Sequence, residues 1–220
     1  MTAVIFDLDG TLADTSGDLL AAANVCFRDM GHGDVLDAAD AAVALRGARA
    51  MLRAGLIRVD RLDEATIDRY FPVLVEAYGA AICVHTRLYP GAMEAIAILR
   101  GRGHAIGICT NKPEGLADQL MTDLGVRHVF GSLVGADTLT VRKPDPEPLF
   151  EATRRLGVDP RACLLVGDSD TDRNTARAAG VPSVLVTFGP SGEDMAALEP
   201  EALLDDYAAL PSVVAALLPR

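Results

Sequence analysis

The chain has 220 residues, 50% of them hydrophobic, with a formal net charge of -11 and an isoelectric point near 4.7. This apolar content supports a sizeable packed core, and the acidic balance argues against non-specific nucleic-acid or anionic-membrane binding, since either needs a basic surface. No uninterrupted apolar run approaches the ~18 residues of a membrane helix, and Cys26, Cys83, Cys109 and Cys163 are too far apart in sequence for a metal clip, so reduced, buried thiols are expected.

The first element is a strand, Val4 to Phe6, that runs straight into Asp7 and Asp9. No basic segment and cleavage site precede it, which fits a cytoplasmic location. Side chains alternate across a strand, so two carboxylates two residues apart are expected on one side of its end. Unpaired charges beside a core are costly, so a cation, hydrogen bonds or a proton must compensate them. From Thr15 to about His85 apolar residues recur at spacings of three and four, as in LLAAANVCF, AADAAVALRGARAMLRAGL and DEATIDRYFPVLVEAYGAAI. Breaks fall at Gly31 to Gly33 and at Arg58 to Asp63. Roughly 70 residues is too long for a connecting loop, so residues 15–85 are expected to form an inserted helical unit, with residues 1–14 and 86–220 as the core.

After Gly91 the pattern alternates. Helices are predicted at Met93 to Arg100, Glu114 to Leu124, Pro148 to Leu156 and Thr171 to Ala179. Strands are predicted in HAIGICTN, VFGSLVGAD, ACLLVGD and VPSVLVTFG. This is the signature of an α/β, Rossmann-like fold, a parallel sheet flanked by helices. Such sheets bind ligands beyond the carboxyl ends of their strands. Asp7 and Asp9, Thr110 and Asn111, and Asp168 end three of those strands, and Lys143 lies in a loop able to reach the same edge.

Asp7, Asp9, Asp168 and Asp172 offer hard oxygen donors suited to Mg²⁺, which commonly shares its coordination with a substrate phosphate. Lys143, the Thr110 hydroxyl and the Asn111 backbone N–H add a cation and donors that fit a phosphoryl group. In such a site Asp7 can attack phosphorus while Asp9 protonates the leaving alkoxide and later deprotonates water.

FDLDGTL at Phe6 to Leu12, TN at Thr110 and Asn111, KP at Lys143 and Pro144, and GDSDTD at Gly167 to Asp172 resemble, in order, the four motifs of the haloacid dehalogenase-like phosphohydrolases. The resemblance implies that Asp7 is nucleophile and metal ligand, and that Asp9 is general acid and base with its backbone carbonyl on Mg²⁺. It further implies that Thr110 and Asn111 bind phosphate, that Lys143 balances charge, and that Asp168 and Asp172 hold the metal or its waters. The helical insertion matches the family's cap. Members that cleave carbon to halogen bonds lack the second aspartate, so Asp9 disfavours dehalogenation. LYPGAMEAIAILRGRG, TNKPEGLADQLMTDLG, VRKPDPEPL and VGDSDTDRNTARAAG further resemble the bacterial phosphoglycolate phosphatase group. That resemblance implies 2-phosphoglycolate as the substrate.

Arg46 in the helical unit is a candidate forked donor for a substrate carboxylate, with a solvated helix arginine as the alternative. Arg49 and Arg53 are weaker candidates. Asp170 reads as a helix cap, and Lys112 either tunes the local field or is a surface lysine. The expected partner is a small phosphorylated metabolite, and the expected assembly a monomer or homodimer. Competing readings are phosphatases of pyrophosphate, sugar phosphates or nucleotides, a sugar phosphomutase, and a non-catalytic phosphate-binding module.

Overall fold

The computed structural model describes residues 1–189 and 194–218. The first half of the chain forms β1 (Ala3–Phe6), β2 (Ala13–Asp14), α1 (Ser16–Asp29), α2 (Ala41–Ala44), α3 (Ala48–Arg58), α4 (Glu64–Ala80) and β3 (Arg87–Leu88). There follow α5 (Ala92–Gly101), β4 (Ala105–Cys109), α6 (Glu114–Asp123), β5 (Ser132–Val134), α7 (Glu147–Arg155) and β6 (Cys163–Gly167). The chain then adds α8 (Asp170–Ala179), β7 (Ser183–Val186), β8 (Ala202–Leu204) and α9 (Leu210–Leu217). No helix among the described residues is long and apolar enough to cross a membrane.

The chain divides into two compact units. One comprises Met1–Ala13, Leu88–Gly189 and the described C-terminal residues, and the other contains Asp14–Arg87. In the first, six strands form a parallel sheet in the order β5-β4-β1-β6-β7-β8. Every side chain of β1 and of β6 is buried, which explains why these strands read as continuous apolar runs and not as alternating ones. α7 and α8 contribute Leu149, Ala152, Ala176 and Ala179 to a core shared with Ile5, Cys109 and Leu165. Cys26, Cys109 and Cys163 are buried free thiols and Cys83 is half-buried.

Strand register decides which strand ends meet. Phe6 lies beside Ile108 of β4 and Val166 of β6, so the residues just past these three strands are neighbours. The chain leaves β1 with β4 on one side and β6 on the other. This is the reversal of strand order at which open α/β sheets leave a crevice.

The second unit holds α1 to α4 around Phe27, Leu52, Leu56, Ile67 and Leu74. The stretch AADAAVALRGARAMLRAGL, whose periodicity reads as one helical run, is divided by a turn at Leu45 to Gly47, where Gly47 takes φ 91°. That left-handed backbone is open to glycine at little cost. Pro72 is accommodated inside α4. Three strands go beyond the sequence reading: the paired β2 and β3, of two residues each, and the edge strand β8. All are too short to establish a period.

Candidate active site

Strand ends supply the first components. Asp7 follows β1, Thr110 follows β4 and Asp168 follows β6. Lys143, in the loop between β5 and α7, brings a side chain only 1% exposed to the same place. Its Nζ stands 3.0 Å from Asp7 Oδ1 and 2.6 Å from Asp172 Oδ1. Asp172 lies in the first turn of α8 and is fully buried. Its Oδ2 accepts from Ser169 Oγ at 2.6 Å and from the Asp168 N–H at 3.2 Å. Gly167 permits this approach, because a Cβ there would fall 2.3 Å from Asp172 Cγ. Thr11 Oγ donates to Asp168 Oδ1 at 2.8 Å.

One carboxylate oxygen from each of Asp7, Asp168 and Asp172 lies within 4.8 Å of the others. One buried ammonium thus pairs with two carboxylates of this three-carboxylate cluster. Asp7 Oδ1 is buried and, despite its closeness to Lys143, has no hydrogen-bond partner among the described residues. The Asp7 carboxyl is raised to about 6, chiefly by burial, with Lys143 opposing the rise and Asp172 and Asp9 adding to it. Asp168 is raised well above its ordinary value by burial, then by the charges of Asp172 and Asp7. Burial would lower the Lys143 ammonium, yet Asp172 and Asp7 outweigh it and hold the group above its ordinary value. The cluster is short of positive charge. A buried oxygen with an ion pair but no hydrogen bond among the described residues, set in a cluster of hard oxygen donors, fits a divalent cation such as Mg²⁺.

Asp9 is handled separately. β1 stops at Phe6, so strand alternation does not extend to Asp9. The intervening turn, in which the N–H groups of Thr11, Leu12 and Ala13 all donate to Leu8 C=O, sets its position. Lys112 Nζ lies 2.9 and 3.1 Å from the two Asp9 oxygens, with its side chain 3% exposed. Of the two sequence readings of Lys112, the surface lysine is therefore excluded. The signal available in sequence was its place two residues beyond Thr110 at a strand end; nothing there revealed Asp9 as its partner.

Thr110 Oγ accepts from the Lys112 N–H at 3.2 Å, which leaves the hydroxyl proton to be donated elsewhere. The Asn111 side chain donates to Lys143 C=O at 3.0 Å, so it braces the loop that carries the buried lysine. Asp170 is not the cap of α8. Ser169 takes that position and accepts from the Asp172 N–H, because its short hydroxyl reaches back where Asp170 is already the first helical residue. Arg46 lies in the turn between α2 and α3 in the other unit. Within that unit Arg49 pairs with Asp68 and Arg53 with Glu64.

Comparison with known proteins gives concordant results. The model of the haloacid dehalogenase-like hydrolases matches residues 4–186. Phosphoglycolate phosphatase of Rhodospirillum rubrum is 40% identical over 216 residues, spanning 94% of this chain and 88% of its own. That of Mesorhizobium japonicum is 39% identical over 208 residues, spanning 94% and 92%. Among solved structures, a predicted phosphoglycolate phosphatase from Haemophilus somnus superposes with a TM-score of 0.86 at 26% identity, covering 97% of this chain and 98% of that one.

Proposed function

The chain belongs to the haloacid dehalogenase-like hydrolases, and from that membership we propose that it is a Mg²⁺-dependent phosphatase that hydrolyses 2-phosphoglycolate to glycolate and phosphate. The observation that carries the chemistry is the buried Asp7 Oδ1, which among the described residues has an ion pair with Lys143 but no hydrogen-bond partner and clusters with the carboxylates of Asp168 and Asp172. The substrate follows from the names of the relatives.

In this reading Asp7 attacks phosphorus. A bond forms between its oxygen and phosphorus while the bond from phosphorus to the glycolate oxygen breaks. Asp9 gives its proton to that leaving oxygen. Water then attacks the aspartyl-phosphate and passes a proton back to Asp9, and the Asp7 carboxylate is released. Thr110 donates its hydroxyl proton to a phosphoryl oxygen, with the Asn111 backbone N–H beside it. Lys143 offsets the negative charge shared by Asp7, Asp172 and the phosphoryl group. Asp7, the Asp9 carbonyl, Asp168 and Asp172 would hold Mg²⁺, which when bound neutralises charge on the transferring group. For the substrate's own carboxylate the reading assigns Arg46, a forked donor in the helical unit, which would act as a cap over the site. The same reading puts the protein in the cytoplasm, as a monomer or homodimer.

The test is phosphate release from 2-phosphoglycolate, pyrophosphate, sugar phosphates and nucleotides, compared by kcat/KM with Mg²⁺ and with excess chelator. The expected result is Mg²⁺-dependent turnover with 2-phosphoglycolate preferred by more than about tenfold, or ~1.4 kcal/mol of discrimination. Another substrate ahead would replace the named one and keep the mechanism. No turnover of any ester would overturn both.

A further inference from the structure

Behind the turn that carries Asp7 and Asp9 stands a side chain from the far end of the chain. Tyr207, in the short turn Tyr207–Ala209 after β8, is 1% exposed and is among the largest fully buried side chains. Its hydroxyl donates to the Thr11 C=O at 2.7 Å. Thr11 and Leu12 are themselves fully buried, and the next carbonyl, that of Leu12, accepts from the Tyr89 N–H at 3.0 Å. Two successive peptide planes of the turn are thereby fixed by groups outside it.

The ring is as closely held as the hydroxyl. Phe188 lies between Tyr89 and Tyr207, with ring centroids 4.8 and 5.4 Å away. Gly91 comes so close that a Cβ there would stand 3.3 Å from Tyr207 Cβ. Three rings from three chain segments thus hold one hydroxyl on one carbonyl. Burial, and after it the charge of Asp168, raises the Tyr207 hydroxyl far above its ordinary pKa, so it remains a donor.

Thr11 links this support to the carboxylates. Its backbone takes the Tyr207 proton donor and its side chain holds Asp168 Oδ1. We propose that Tyr207 is a positioning residue for the metal-binding carboxylates, acting through Thr11 to fix Asp168. This rests on the reading of Asp7, Asp168 and Asp172 as a cation site. Tyr207 lies outside residues 4–186, the span shared with the family model, so this support comes from the chain's own C-terminal segment. Partners that orient a ligand from behind commonly alter metal affinity by roughly 10–100-fold when removed.

Tyr207→Phe removes the hydroxyl and keeps the ring. Free Mn²⁺ is followed by electron paramagnetic resonance as it is titrated with wild type, Tyr207→Phe, Thr11→Val and the double variant. Thermal unfolding in chelator confirms that each is folded. Tyr207→Phe is expected to weaken Mn²⁺ binding by about tenfold, and to cause little further loss in the Thr11→Val background, because the connection to Asp168 is already cut. Binding within about twofold of wild type, or an equal loss in both backgrounds, would overturn the proposal. If Thr11→Val binds no Mn²⁺ at all, the single Tyr207→Phe comparison decides. A wild-type protein that binds no Mn²⁺ would instead overturn the cation site itself, and the proposal with it.

Discussion

In the helical unit Arg49 faces Asp68 with side chains 51% and 64% exposed. At the end of the central strands one ammonium, that of Lys143, pairs with both Asp7 and Asp172 in a cluster of three carboxylates that includes Asp168. The first arrangement is matched one to one and screened by solvent, so either charge can be lost at little cost. The second is unmatched and desolvated, and burial without enough countercharge raises both Asp7 and Asp168. Lys112 and Asp9 form an intermediate case, a buried ammonium on a carboxylate whose side chain is 18% exposed. Charge count separates the two groups: Lys112 pairs with Asp9, whereas Lys143 stands beside both Asp7 and Asp172, with Asp168 in the same cluster.

Turnover should suffer most when the unmatched cluster is disturbed. Asp7→Asn should lower kcat by about 10⁴-fold or more, since the attacking oxygen is lost, while circular dichroism shows a folded protein. Substantial activity in pure Asp7→Asn enzyme would remove Asp7 as nucleophile.

Lys143→Met leaves the carboxylates without their ammonium. It should destabilise the chelated protein at pH 7 by about 3–5 kcal/mol in urea unfolding. A loss below about 1 kcal/mol, of the size found for exposed pairs, would place Lys143 with the surface charges.

A pH series separates the buried cluster from the exposed pair in another way. The folded Asp7 carboxyl titrates at about 6 against 3.8 in its ordinary state, so its contribution is fully present below about 3.8 and is lost as pH rises through about 6. In chelator, wild type should lose about 2 kcal/mol relative to Asp7→Asn between pH 4 and pH 7. Parallel stability curves would mean that the burial of Asp7 carries no such cost. For the exposed pair, Arg49→Ala should change stability by no more than about 0.5 kcal/mol. A loss above about 2 kcal/mol would show that solvent does not screen this pair.

Sequence made some of this legible for identifiable reasons. Strands β1, β4 and β6 are continuous apolar runs ending in polar residues, so the edge where Asp7, Thr110 and Asp168 meet could be read directly. Lys143 and Asp172 could be singled out from their neighbours in KP and GDSDTD, but their pairing across 29 positions exists only in the fold. The Lys112 and Asp9 pair, separated by 103 positions, was likewise invisible to periodicity. Tyr207 had no local signal, since a tyrosine after a three-residue strand resembles any buried ring. The turn at Leu45 to Gly47 was masked because alanine and leucine continue on both sides of it at helical spacing.

The mechanism stands or falls on whether Asp7, the carboxylate at the end of β1, bonds to phosphorus. This can be read from the stereochemistry at phosphorus when a thiophosphate ester made chiral with ¹⁶O and ¹⁸O is hydrolysed in H₂¹⁷O, which gives a chiral thiophosphate product. Two successive in-line displacements, first by Asp7 and then by water, predict net retention. Inversion would show a single displacement by water and contradict the covalent role of Asp7.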